Sequence, residues 1–385
     1  MALSTAPITE HGQLDRRALT DAFVVALRER ARGRITRACR LWALVEDHGR
    51  RGGADLLALQ AGAQRSVTLM WAGALPSATS LCDRLLPELA ALERDGAALA
   101  PPPIERRALE AWAAAWFSVA GLHRLRAQQR RRAGDYVGAL DALAAAARAG
   151  DEPPDGALPE WGRVILADAL RLAGDVEGAL EVAQDAVERA ARRDAHPWVG
   201  ALARRAVAHA QLALDAVPAA LAALETLVAD PLHRNLDGRI ACALGFGEAL
   251  RRIGDLAGAR RHLLRARVDA LAGGNVIAWV QAQLGLAEVA RAAGGDRAAV
   301  AALARPVHDR LGLDAHPWLA LRAAVVAALS ASRVQRERWL SRAEQVLPRF
   351  RRRSGDLELD EQLVERCRLA LETRDPLPPI ALDFL

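Results

Sequence analysis

Residues 161–193 read WGRVILADALRLAGDVEGALEVAQDAVERAARR, and this stretch decides the fold. Its apolar residues follow helical spacing up to Ala173, where Gly174-Asp175 interrupts them. Glycine suits the residue just past a helix end because it readily adopts a positive φ. Aspartate suits the N-cap of the next helix because its carboxylate accepts hydrogen bonds from free backbone N–H groups. The stretch therefore predicts two helices joined by a tight turn.

The same pattern recurs along the chain at a regular spacing, with one longer interval between Gly73 and Gly134. Positions equivalent to Gly174 are Gly33, Gly73, Gly134, Leu214, Gly254, Gly294 and Val334. Small residues follow five positions later at Ala38, Ala78, Ala139, Ala179, Ala219, Ala259 and Ala299. Small residues also precede the turn by seven positions, mostly alanine, with Val207 and Gly247 as variants. Such residues let paired helices approach closely, so the sequence predicts a series of helical hairpins.

The longer interval predicts an inserted helix near residues 95–118, with Pro101-Pro102-Pro103 ending the helix before it. We expect an N-terminal tail at 1–13, a pair of repeats at 14–100, a main array at 101–355, and a capping helix with an extended tail at 356–385. The segment DAHPW occurs twice, at 194–198 and 314–318. Proline is favoured in the first turn of a helix, so Pro197 and Pro317 each predict a helix start.

These hairpins resemble tetratricopeptide repeats. Each repeat spans about 40 residues. This length is similar to that of the repeats in large bacterial transcription activators of the maltose-regulator type. The resemblance implies an all-α, right-handed α-α superhelix of about eight hairpins with a C-terminal capping helix. It also implies that the first helix of each hairpin lines the concave side. In those activators the array senses an inducer and mediates self-association.

Composition narrows the chemistry that the chain can perform. The chain has 52 basic residues, and all of them are arginine. Without lysine there is neither a Walker P-loop nor a Schiff-base site. The motifs HExxH, GxSxG and CxxC do not occur, so we expect no enzyme, metal site or cofactor. The four cysteines are far apart, and no long apolar run or signal peptide is apparent, so we expect a cytoplasmic protein with free thiols.

The candidate binding residues form a ladder three positions before each turn. Its members are Arg131, Arg171, Gln211, Arg251 and Arg291, and three positions earlier stand Gln128, Asp168, Ala208, Glu248 and Glu288. Guanidinium groups in a concave groove would bind carboxylates or phosphates. Alternatively, these arginines complement the helix dipole and form weak surface pairs with the acids. Because Arg131 faces Gln128, we expect it to be the least compensated cation.

Tryptophan supplies a second candidate surface. Trp161 and Trp198, like Trp279 and Trp318, fall near the start of first helices. This row would either line a groove that binds a partner or fill the gaps between repeats.

The sequence therefore favours a non-enzymatic scaffold or sensor that binds a partner protein or acidic peptide in its groove. The first alternative is a regulatory module that responds to a small-molecule inducer. Nucleic acid is a less favoured partner, since 47 acidic residues are interleaved with the arginines. The oligomeric state stays open.

Overall fold

The computed structural model describes residues 15–95, 117–133, 135–149, 160–173, 175–192, 197–229, 236–315 and 317–354. Within these ranges the chain forms sixteen α-helices and no strand. The helices are α1 Arg16–Ala31, α2 Ile35–Arg51, α3 Asp55–Trp71, α4 Leu75–Arg94, α5 Val119–Arg132, α6 Tyr136–Ala149, α7 Glu160–Ala173, α8 Val176–Arg192, α9 Pro197–Ala213, α10 Val217–Ala229, α11 Leu236–Arg252, α12 Leu256–Gly273, α13 Val276–Ala292, α14 Arg297–Ala315, α15 Pro317–Ser330 and α16 Arg333–Ser354.

The described residues fall into two compact units. The first comprises those within Met1–Gln129, Ala142–Ala157 and Ala272–Asn275, and the second those within Arg130–Asp141, Leu158–Leu271 and Val276–Leu385. Most of the predicted insertion near 95–118 lies outside the described residues, as do the segments 1–13 and 356–385. The domain boundaries inferred from the sequence stay predictions.

Helices pack on their neighbours in chain order within each unit. In the first unit, α1 through α4 pack successively. In the second, α7 through α11 and α13 through α16 pack successively, and the alternate helices α7, α9, α11, α13 and α15 also contact one another in order. This is the packing of an α-solenoid, as predicted. The right-handed superhelix stays a prediction.

Four of the eight predicted turn residues are confirmed, and two others, Gly134 and Gly174, lie outside the described residues. Gly33, Gly73, Gly254 and Gly294 have positive φ angles between 70° and 86°. The Asp135, Asp175 and Asp255 side chains cap the following helices, each accepting a hydrogen bond at 2.8–3.0 Å from the backbone N–H of the glycine three residues later. Pro197 and Pro317 begin α9 and α15, which confirms the interpretation of both DAHPW segments as helix starts.

The predicted register slips by one residue in the repeat containing Leu214. Asp215, not Leu214, adopts the left-handed conformation, with φ at 58°. Aspartate tolerates this conformation better than leucine does. The small buried residues of this repeat are consequently Ala208 and Ala220, whereas Val207 is only partly buried and Ala219 is exposed.

Two further turns depart from the prediction. After Gly294 the turn contains one extra residue, Gly295, so Val300 is buried in place of the exposed Ala299. Val334 is not a turn residue, because α16 has already begun at Arg333, and its side chain is exposed. The fixed repeat period therefore holds for the helices but not for every turn.

Candidate functional site

The arginine ladder lies in the second unit, at the C-terminal ends of α5, α7, α11 and α13. Its side chains are mostly buried: those of Arg131, Arg171 and Arg251 are 8%, 7% and 5% exposed, and that of Arg291 is 23% exposed. The structure therefore does not present the ladder as an open row of cations. Each of these arginines lies against a carboxylate of the same unit.

Glu248 and Glu288 form the most tightly bonded pairs of the ladder. Arg251 donates two hydrogen bonds to Glu248, at 2.7 and 2.8 Å, and Arg252 donates a third at 2.8 Å. Arg291 donates to Glu288 at 3.0 Å, and neither glutamate has any exposed side-chain surface. Burial would lower the pKa of Arg251, but the hydrogen bond and charge of Glu248 and the charge of Glu288 raise it. These pairs are buried, so their interpretation as weak surface pairs is wrong.

Asp168 is shared by two arginines from successive hairpins. Its carboxylate oxygens lie 3.7 Å from Arg131 Nη1 and 3.7 Å from Arg171 Nη2. Burial favours a raised pKa for Asp168, but the charges of Arg131 and Arg171, with smaller effects of His209 and Arg205, hold the pKa below its usual value. We expected Arg131 to lack a nearby acid, and this is wrong, because Arg131 lies against Asp168 of the next hairpin.

The register slip removes Gln211 from the ladder. Counting back from Asp215 instead of Leu214, the acid position is occupied by His209 and the arginine position by Leu212, and both are buried. Gln211 lies one residue out of phase, and its Oε1 is buried without a hydrogen-bond partner among the described residues. The hairpin of α9 thus interrupts the ladder with a histidine and a leucine.

The sequence analysis did not identify two side chains of α9 that influence Asp168. Arg205 and His209 lie near enough to Asp168 for their charges to affect its pKa. Burial lowers the pKa of Arg205, although Asp168, Cys242 and Asp237 oppose this. Burial and then Arg171 lower the pKa of His209 far below its ordinary value, so the imidazole is neutral at neutral pH. The signal that could have revealed His209 is Asp215, which is a better left-handed residue than Leu214.

A second basic region, in the first unit, was also missed. Residues 28–40 read RERARGRITRACR, with six arginines and one acid. Glu29 is buried, and its carboxylate is shared by three exposed guanidinium groups: Arg32 at 3.2 Å, Arg34 at 3.1 Å and Arg37 at 3.4 Å. Arg40 is exposed on the same helix as Arg37. We call Arg32, Arg34, Arg37 and Arg40 the α1–α2 patch.

The buried carboxylate of Glu29 is ionised and holds the arginines of the α1–α2 patch in place. Burial would raise the pKa of its carboxyl, but the hydrogen bond and charge of Arg34, the charge of Arg37 and the hydrogen bond of Arg32 lower it. The carboxylate is therefore ionised at neutral pH and orients three cations whose side chains are 63%, 53% and 53% exposed.

The structure describes the side chains of only some of the predicted tryptophan row. Trp161 is partly buried at the beginning of α7. The side chain of Trp198 lies outside the described residues. Among the described residues, no group of histidine, cysteine and acidic side chains is arranged to hold a metal ion, and no helix has the length and apolar character needed to cross a bilayer.

Neither a protein-family model nor a curated protein matches this chain. The resemblance to tetratricopeptide repeats consequently stays a prediction that depends on the hairpin pattern.

Proposed function

We propose that this chain is a non-enzymatic interaction scaffold or sensor that binds an acidic segment of a partner protein. The observation that supports this is the α1–α2 patch, where three exposed guanidinium groups share one buried carboxylate. The buried ladder does not offer such a surface, because its arginines are paired within the chain. The binding surface proposed from the structure thus differs from the groove expected from the sequence.

The chemistry of the α1–α2 patch suits carboxylates. Guanidinium groups form forked, charge-assisted hydrogen bonds with carboxylates, and three of them around one glutamate retain donors that point to solvent. Exposed charges chiefly accelerate association and select the partner, and salt weakens them. The expected interaction is therefore fast, specific for acidic segments and sensitive to ionic strength.

A binding assay tests this proposal. The probe is a fluorescein-labelled peptide of alternating glutamate and serine, and a glutamine–serine peptide is the neutral reference. Charge reversal by Arg32→Glu, Arg34→Glu and Arg37→Glu, made together with Glu29→Gln so that no buried carboxylate is left without its partners, should weaken binding of the acidic peptide roughly tenfold or more, measured by fluorescence anisotropy.

The matched control reverses three exposed arginines of the second unit, Arg260, Arg261 and Arg297, and also carries Glu188→Gln at an exposed position. This variant changes net charge equally and should bind the acidic peptide nearly as the original chain does. Equal weakening in both variants would show only a general effect of net charge and would contradict the proposal. Tighter binding of a single-stranded oligonucleotide than of the acidic peptide would favour a nucleic-acid partner instead.

We also infer a cytoplasmic location. Among the described residues, Cys39, Cys82 and Cys242 are free thiols, which is usual in a reducing compartment. Burial raises the pKa of the Cys82 thiol to about 12, so this thiol is protonated and unreactive.

A further inference from the structure

The helix α8 carries a row of acids on the face that points away from its neighbours. The acids follow one another at intervals of four, four and three residues, and they are Glu177, Glu181, Asp185 and Glu188. We call these four residues the α8 stripe. The buried residues of the same helix are Ala179, Ala183, Ala186 and Ala190. At about 100° per residue, the acids and the buried alanines lie on opposite faces of α8, so packing of the hairpins leaves the acids uncovered.

Only half of the α8 stripe is neutralised within the chain. Asp185 and Glu188 pair with arginines of their own hairpin, at N–O distances of 2.6–3.0 Å. Glu177 and Glu181 are exposed and form no ion pair with any residue that the structure describes. The first half of the α8 stripe therefore presents two uncompensated carboxylates, one helical turn apart, to solvent.

The α1–α2 patch has the opposite excess of charge. Its four arginines share the single carboxylate of Glu29, which leaves three positive charges uncompensated. Arg37 and Arg40 stand three residues apart on α2, so their spacing of about one helical turn matches that of Glu177 and Glu181. A helix that carries two acids one turn apart can therefore lie along α2 and form two ion pairs.

We propose that the α1–α2 patch binds the α8 stripe of a second copy of this chain, with Glu177 and Glu181 against Arg37 and Arg40. The contact rests on the proposed function and names the partner that supplies the acidic segment. Because the two surfaces differ, one contact leaves a stripe on one copy and a patch on the other for further contacts. Exposed charges dominate the contact, so it forms fast and weakens with salt.

Sedimentation velocity of the full chain over a range of protein concentrations tests the contact. We expect the mean mass to rise with concentration at about 0.01 M salt and to rise much less at about 1 M, because the screening length falls from about 30 Å to about 3 Å. An excess of the glutamate–serine peptide should lower the mean mass at low salt, since it competes for the same arginines. A mean mass at low salt that does not change with concentration would overturn the proposal.

A charge reversal on α8 tests which surface is used. Glu177→Arg with Glu181→Arg should raise the dissociation constant of self-association roughly tenfold or more. The matched control is Asp141→Arg with Glu225→Arg, which reverses two exposed acids of α6 and α10 and should leave self-association nearly unchanged. Equal weakening in the two variants would show that net charge alone matters, and would contradict the proposal.

A mixture of two variants excludes misfolding as the cause of a loss. The first is the α8 variant, and the second reverses the α1–α2 patch by Arg32→Glu, Arg34→Glu and Arg37→Glu with Glu29→Gln. Each variant alone carries two surfaces of like charge and should associate weakly. An equimolar mixture should associate again, because the original patch of one variant meets the original stripe of the other. A mixture that associates no better than its components would overturn the proposal.

The peptide assay separates this contact from the proposed function. Suppose that reversal of the α1–α2 patch abolishes binding of the acidic peptide while neither variant changes self-association. The patch then binds acidic segments, and the contact between copies is contradicted. Suppose instead that peptide binding survives reversal of the patch. The proposed function and the contact between copies then fail together.

Discussion

Single charged side chains decide how the ladder is held together. Glu248 has no exposed surface, yet its carboxylate accepts three hydrogen bonds from Arg251 and Arg252. A buried ion pair contributes little net stability relative to apolar packing, but removing one partner leaves a buried charge without compensation. The stability of the second unit should therefore respond sharply to neutralisation of a single buried acid.

Glu248→Gln should lower the free energy of unfolding by about 3–5 kcal/mol, because Arg251 loses the carboxylate that compensates it. Urea unfolding followed by circular dichroism measures the change. The control is Glu188→Gln, whose carboxylate is 63% exposed and pairs with the exposed Arg192, and it should cost at most about 1 kcal/mol. Equal losses in the two variants would show that burial of Glu248 does not matter.

His209 should make the chain less stable in mild acid. Burial and Arg171 lower the pKa of His209 in the folded chain, so as the pH falls below the ordinary pKa of about 6.5 the unfolded chain binds the extra proton. Stability is thus present above that pH and is lost as the pH falls, at up to about 1.4 kcal/mol per pH unit for one proton. His209→Gln should reduce the loss between about pH 7 and about pH 5 in urea unfolding. An unchanged loss would mean that His209 does not titrate differently in the two states.

Turn geometry at the element scale determines which side chains of a hairpin are buried. Asp215 takes the left-handed position at the end of α9, which shifts the buried small residue of α10 from Ala219 to Ala220. One residue on a helix corresponds to a rotation of about 100°. A shift of one position therefore exchanges an exposed face for a packed one.

Substitution at the two neighbouring alanines tests this register. Ala220→Leu should lower the free energy of unfolding by about 1–3 kcal/mol, because its position has no exposed surface and cannot accept extra volume. Ala219→Leu adds the same volume on the exposed face and should change stability by about 0.5 kcal/mol or less. Chemical denaturation measures the free energy of unfolding of both variants. A larger loss for Ala219→Leu than for Ala220→Leu would instead indicate that the turn is at Leu214.

Across the whole chain, features within a single hairpin could be predicted from the sequence, whereas contacts between hairpins could not. Turn glycines, capping aspartates and small residues act within one hairpin, so their spacing predicted the helical hairpins and four of the eight turn residues. The partner of Arg131 depends on packing between hairpins, and the sequence therefore suggested Gln128 where the structure has Asp168. The α1–α2 patch was missed because a run of arginines shows neither which cations are exposed nor that Glu29 is buried.

The central claim is that the repeated arginines stabilise the chain from within, whereas the cations that bind a partner lie at the α1–α2 patch. Thermal melting of two charge-reversal variants, measured side by side by circular dichroism, tests it most directly. Arg131→Glu with Arg171→Glu should lower the melting temperature strongly, since both side chains are buried against Asp168. Arg32→Glu with Arg34→Glu and Arg37→Glu, made together with Glu29→Gln so that no buried carboxylate is left without its partners, should lower it less, since the three arginine side chains are more than half exposed. A ladder variant that melts like the original chain would contradict the account.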